Sequence, residues 1–228
     1  MQRDTIIQRV INKMGATVYL EIGVQRGKNF YAIKAPKKIA VDPHFMIGIM
    51  RQVKNPLSFF NSSFFEMTSD QFFNAHAVRA LNRNKIDVAF IDGLHTYAQS
   101  LKDFLNCALH LSSNGVILFH DCNPLSEAAA ASVNSPGEMK EKFLNAGPAW
   151  NGDVWKTILH IRTLPDWQVF VLDCDNGVGI AIKKPNQNRL NYDIAQINAM
   201  DYHHFEENRE EILGLKPPAY LDGFLSAL

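Results

Sequence analysis

The sequence is short of everything that would place it outside the ordinary globular class. Of its 228 residues only three are cysteines, Cys107, Cys122 and Cys174, widely spaced and in no CxxC arrangement. That excludes a disulfide framework and a thiolate zinc site, and it favours a reducing compartment. There is no excess of one charge: Lys plus Arg and Asp plus Glu are both 23, so bulk charge gives no reason to expect nucleic acid or an acidic membrane surface as partner. Nowhere does an apolar run approach the ~18 to 20 residues of a membrane span. The N-terminal MQRDTIIQRVINKMG lacks a continuous apolar segment of the export-signal kind. Internal repeats and low-complexity tracts are also missing. These absences predict a soluble, cytoplasmic chain, and the 46% apolar content is enough for a sizeable core.

What is present alternates between strand and helix. Apolar positions Ile6, Ile7, Val10 and Ile11 have helical spacing over Thr5 to Lys13, and Gly15 is placed to end that helix. Runs with strand character follow at Val18 to Ile22, Lys38 to Val41, Ser63 to Met67, Ile86 to Ile91 and Gly115 to Phe119. Helices are predicted between them over Ser69 to Leu81, capped by Ser69 or Asp70 with Phe72, Phe73 and Val78 buried, and over Tyr97 to Leu111. In the second, Leu101, Phe104, Leu105, Ala108 and Leu109 fall on the buried side. Cys122 to Gly137 reads as an active-site loop with some helix, Asp153 to Ile161 as a helix, and Trp167 to Leu172 with Val178 to Ile182 as a hairpin turning at Asp173 to Gly177. The expectation is an α/β fold: a Rossmann-like, seven-stranded, mostly parallel sheet with helices on both faces. The fold domain spans residues 1–185. A C-terminal helical appendage, 186–228, with an acidic helix around Phe205 to Leu213, is free to cap the site or to make a homodimer contact.

Four strand ends carry polar chemistry. The first strand closes in Glu21-Ile-Gly23-Val-Gln25-Arg-Gly27, a glycine turn that lets a ligand approach the backbone at a helix start. The next closes in Asp42-Pro43, 19 residues after Gly23, where an acidic residue accepts bonds from ribose hydroxyls. Gln25 stands where a pyrophosphate binder has its middle glycine, which argues against an NAD-linked oxidoreductase. The third ends in Asp92-Gly-Leu-His95-Thr-Tyr97 and the fourth in His120-Asp121-Cys-Asn123, so Asp92, His95, His120 and Asp121 meet at one sheet edge. Taken singly, each has a plain alternative as a helix cap, a capped turn or a hydrogen-bonded ring. Trp150, Asp153, Trp155 and Lys156 form either part of the core or an acceptor wall, and His203-His204 read as a solvated surface pair.

In this combination the sequence resembles the class I methyltransferases of the methyltransferase 24 type, over roughly residues 15 to 185. Glu21 to Gly27, Val41 to Pro43, Ile91 to Tyr97 and Gly115 to Asp121 stand in the family's order, and Asn114 replaces a glycine in the last motif. The resemblance implies S-adenosylmethionine (SAM) as cofactor, its methionine end near Glu21, Gly23, Gln25 and Gly27. Its ribose is then on Asp42 and its adenine by Thr68-Ser69-Asp70, with Asp92 close by. It further implies O-methylation of a small-molecule or sugar hydroxyl, with Mg2+ on Asp92 and Asp121; His120 beside them is a third candidate ligand, and its imidazole suits Mn2+ better than Mg2+. His95, three residues after the first metal carboxylate, is the expected base beside Asp92. A metal-independent N-methyltransferase would use the same cofactor residues.

Overall fold

The computed structural model describes residues 1–47, 60–143, 147 and 149–228. Seven strands form one sheet: β1 Val18–Ile22, β2 Lys37–Asp42, β3 Ser62–Glu66, β4 Ile86–Ile91, β5 Leu111–Phe119, β6 Gln168–Leu172 and β7 Val178–Ile182. Their order is β3-β2-β1-β4-β5-β7-β6, with β1 to β5 parallel and β7 antiparallel to both β5 and β6. Chain order reverses between β1 and β4, the place where open α/β sheets bind their ligands. β1 lies between two parallel neighbours, and all five of its residues are buried. That is why it reads as an almost unbroken apolar run rather than an alternating one.

Two apolar clusters pack against the two faces. One gathers Leu20, Ile39, Phe104, Ile117 and Trp155; the other gathers Ile6, Tyr19, Phe30, Val88 and Leu118. Helix α1, Arg3–Met14, covers the second cluster with Ile6, Ile7, Val10 and Ile11 and ends at Gly15 in the left-handed conformation, as its spacing predicts. α2, Lys28–Ala32, follows the β1 turn.

The helix expected over 69–81 is instead two, α3 Ser69–Ala75 and α4 Ala77–Leu81, broken at His76. Thr68, not Ser69 or Asp70, is the N-cap, in a capping box with Gln71. Val78, expected inside, points to solvent at 78% exposure, because the break turns α4 away from the stripe that buries Phe72. In α5, Tyr97–His110, the buried stripe is Ser100, Asp103, Phe104 and Cys107; Leu101 and Ala108 flank it, while Leu105 and Leu109 are exposed.

Beyond β5 come α6 Pro136–Lys142 and α7 Trp155–Arg162, then the hairpin β6–β7 turning through Asp175, Asn176 and Gly177 in left-handed conformations. The C-terminal segment forms α8 Ile194–Ala199, α9 Tyr202–Glu207, α10 Arg209–Leu213 and α11 Tyr220–Ala227, so the acidic helix is two, divided at Asn208. Its side chains enter both clusters: Ile197, Phe205, Ile212 and Leu213 the first, Leu221 and Leu225 the second. The edge strand β6 is covered at one end by Lys216, which donates its N–H to Val171 O (2.8 Å) and accepts from Asp173 N–H (2.9 Å). Among the described residues no helix is long and apolar enough to cross a membrane.

Candidate active site

The site is assembled where β1, β4 and β5 end side by side. The ladder continues past the strands: Asp92 N–H donates to Ile22 O (2.9 Å) and His120 N–H to Ile91 O (3.1 Å). Gly23, at φ +88°, is pressed so closely on this turn that an added Cβ would lie 1.9 Å from Asp92 O. A side chain there would separate the two strand ends, so glycine is required by packing as well as by φ.

On the β1 side, Glu21 is buried and accepts hydrogen bonds at Oε2 from Tyr19 Oη (2.5 Å) and Asn29 Nδ2 (2.8 Å). Burial pushes its carboxyl up to about 7, against the effect of those two donors. Asn29 Oδ1, beside it, is buried with no hydrogen-bond partner among the described residues. Asp42 ties the β1 turn to the end of β2, accepting from Gln25 N–H (2.7 Å) at Oδ2 and from His44 N–H (2.8 Å) at Oδ1. Gln25 therefore enters through its backbone, held in a left-handed conformation at φ 45°. Ser69, in the first turn of α3, is buried and accepts from Gln99 Nε2 (3.2 Å). Gln99 also bonds Asp103, whose carboxyl burial raises to about 6.

On the β4 and β5 side, Asp92, His95 and Asp121 each turn a donor atom to a common point, all within 4.8 Å of one another. His95 Nδ1 is hydrogen-bonded to Trp150 O (2.9 Å). A carbonyl only accepts, so Nδ1 carries a proton and Nε2 faces the carboxylates, 3.2 Å from Asp121 and 3.6 Å from Asp92. The Trp150 ring lies over the His95 ring at 5.0 Å. Asp121 is itself held: Asn151 Nδ2 donates to its Oδ1 (2.8 Å), and its backbone is in the left-handed region at φ 58°. Burial works against the charge of His95, but Asp92 and Asp121 outweigh it and raise its pKa. Burial would likewise raise Asp92, yet His120, His95 and Arg3 hold it well below the usual carboxylate range.

His120 takes a different place from the one expected of a ligand. Its Nδ1 lies 2.8 Å from Asp121 Oδ2 and 3.3 Å from Asp92 Oδ1, and its Nε2 3.5 Å from Asp175 Oδ1. With both ring nitrogens near carboxylates, its pKa is raised despite its burial, up to about 11. The converging set thus contains His95, whereas the sequence suggested His120.

Of the four residues offered as acceptor wall, only Trp150 reaches the site. Trp155 is in the core against Phe205, Lys156 donates to Asn198 O (2.9 Å), and Asp153 accepts the Tyr97 N–H at the start of α5. His203, at 79% side-chain exposure, is the solvated residue expected.

Three participants had no signal in the sequence. Arg3, in the first turn of α1, places Nη1 3.6 Å from Asp92 Oδ2 and 2.7 Å from His120 Nδ1. Asp175, read only as a turn residue, accepts the Arg3 N–H at 2.8 Å. Asn151 comes from the segment before α7. Nothing short of the folded topology brings residues so distant in the chain together.

Comparison with known proteins bears on what this arrangement is. Residues 20–122 match the family model Methyltransf_24, described as a methyltransferase domain. No curated protein matches the sequence. Among solved structures, an O-methyltransferase from Bacillus cereus in complex with SAH is 14% identical with a TM-score of 0.54, covering 80% of each chain. TomG, an O-methyltransferase from Streptomyces achromogenes involved in tomaymycin synthesis and solved with SAM, is 10% identical with a TM-score of 0.53, covering 78% of each. The SAH-bound methyltransferase PaMTH1 from Podospora anserina is 17% identical with a TM-score of 0.51, covering 80% of this chain and 78% of its own. At these identities the structures speak to the fold, which they share.

Proposed function

We propose that this chain is a SAM-dependent methyltransferase, carried by the region 20–122 that matches a methyltransferase domain, and that it methylates a hydroxyl oxygen of a small molecule with the help of a divalent cation held by Asp92, His95 and Asp121. The observation that supports it is the convergence of those three donor atoms at the carboxyl ends of β4 and β5, with His95 held through Nδ1 so that Nε2 joins them. Two carboxylates and one imidazole suit Mn2+ or another first-row cation, and Mg2+ less well. A cation bound there would lower the pKa of an acceptor hydroxyl so that it attacks as the alkoxide or phenoxide.

The chain's own residues do the remaining work. Glu21 and the unpartnered Asn29 Oδ1 offer two acceptors to the methionine ammonium of SAM. Asp42 keeps a lone pair on each oxygen for ribose hydroxyls after bonding Gln25 and His44. Asp121, clamped by Asn151, and His95, clamped by Trp150 O, keep their positions without reorganisation. The Trp150 indole gives the acceptor an apolar wall.

A second reading rests on the same nitrogen. With Nδ1 on Trp150 O and Nε2 beside two carboxylates, His95 is also built to take a proton from the acceptor with no ion present.

Chelation separates the two. We expect SAH to bind in a calorimetric titration and Asp42→Ala to weaken it by about tenfold or more, since charged hydrogen bonds are lost. In a screen of small phenols and sugar hydroxyls, turnover should vanish on treatment with a chelator and return with Mn2+ or Mg2+. Turnover indifferent to chelation would favour His95 as base; no SAH binding would overturn the cofactor roles of Glu21 and Asp42.

A further inference from the structure

Arg3 is not used by either reading above, yet it is built into the site. Its backbone N–H bonds Asp175 Oδ2 at 2.8 Å, which pins the start of α1 to the hairpin turn at the site's rim. From there the side chain, 29% exposed, reaches inward. Nη1 lies 3.6 Å from Asp92 Oδ2, Nε lies 4.0 Å from Asp175 Oδ2, and the guanidinium rests against the His120 ring. A guanidinium has donors only and keeps its charge at any working pH, so Asp92 and Asp175, which also face the His120 ring, have in Arg3 a permanent cation.

Asp92 is also one of the three residues whose donor atoms converge. A carboxylate already facing a guanidinium has less negative potential to offer a second cation. A divalent ion on Asp92 would stand close to Arg3 in a partly buried setting, where like charges are poorly screened. We propose that Arg3 is the resident counter-ion of this cation site: its docking on Asp92 and the binding of a divalent cation oppose one another, so that the N-terminal helix sets the affinity of the site. This rests on the cation reading of Asp92, His95 and Asp121. Binding linkage is reciprocal, so whatever loosens Arg3 tightens the cation and the converse.

The test is calorimetric titration of the chelator-treated full chain with Mn2+ alone, for wild type, Arg3→Gln and Arg3→Lys, with SAH binding and the thermal midpoint as controls of folding. Removing a charge at this distance should tighten Mn2+ binding on the order of tenfold in Arg3→Gln. Arg3→Lys, which keeps the charge, should stay much nearer wild type. A purely structural Arg3 would lower the thermal midpoint and leave the Mn2+ affinity unmoved. Equal or weaker Mn2+ binding by Arg3→Gln therefore overturns the inference about Arg3 and leaves the cation reading standing. If no variant binds Mn2+ while all bind SAH, the cation reading and this inference fall together.

Discussion

Asp121 shows at the scale of single residues how the site holds its strain. A non-glycine residue in the left-handed region, as Asp121 is, costs on the order of 1 kcal/mol and stays there only when its surroundings insist. Here the flanking backbone is tied down by His120 N–H on Ile91 O (3.1 Å) and Cys122 N–H on Gly177 O (3.1 Å), and the Asp121 side chain by the Asn151 amide, itself buried and hydrogen-bonded through its backbone to Ala129 O (2.8 Å). We expect Asn151→Ala to lower kcat by roughly 10- to 100-fold, in line with the loss of other supporting partners around ligating groups. The KM for SAM should stay within about twofold, because the side chain of Asn151 bonds Asp121 and not the residues proposed to hold the cofactor. Steady-state kinetics that show the loss mainly in the KM for SAM would refute this role. Asp92, His95, His120 and Asp121 were legible in the sequence because each follows an apolar strand at a predictable sheet edge. Asn151 was not, since nothing in its neighbourhood reveals the 30-residue return of the chain to Asp121.

Among the elements, α5 separates what periodicity reveals from what it hides. Its existence and its start by Tyr97 are plain from the sequence, but the stripe of leucines is a poor guide to its inner face. Two positions of the true buried stripe are polar. Ser100 is hydrogen-bonded to Thr157, and Asp103 accepts from Gln99 Nε2 at 3.0 Å. Apolar spacing cannot see a buried polar residue that is satisfied by a distant partner, as Ser100 is by Thr157, or by a neighbour one turn away, as Asp103 is by Gln99, so the stripe is placed at the wrong angle and takes in Leu105 and Leu109. The same blindness hides the break at His76, where no glycine or proline announces it. The consequence is measurable by denaturant unfolding. Leu109→Lys, at a site 75% exposed, should change stability by no more than about 0.5 kcal/mol. Phe104→Ala, fully buried against Phe119 and Trp167, should cost about 3 to 5 kcal/mol. A large loss from the first substitution would mean that α5 faces the other way.

For the whole molecule, the buried titratable groups set how stability and cofactor binding answer to pH. Glu21, raised from 4.5 to about 7, and Asp103, raised from 3.8 to about 6, bind protons more tightly folded than unfolded. Stability therefore falls as pH rises from about 4 to 7. Lys38, whose ammonium donates to Phe30 O and Ile33 O, is lowered by burial from 10.5 to about 8, so its own contribution rises above pH 8, but His120, raised from 6.5 to about 11, takes stability away over that same range. The ligand-free chain should show a denaturation midpoint that falls between about pH 4.5 and 7. Glu21→Gln should flatten the fall between about 4.5 and 7. Cofactor binding reverses the sign at the same residue. An ammonium placed on Glu21 favours the carboxylate, so SAH binding should expel a proton and its affinity should rise between pH 5 and 7, levelling off above the pKa of the free protein. Calorimetry in two buffers of different ionisation enthalpy reads that proton directly. Proton release that persists unchanged in Glu21→Gln would move the ammonium to another residue, and a pH-independent affinity in wild type would remove it from Glu21 altogether.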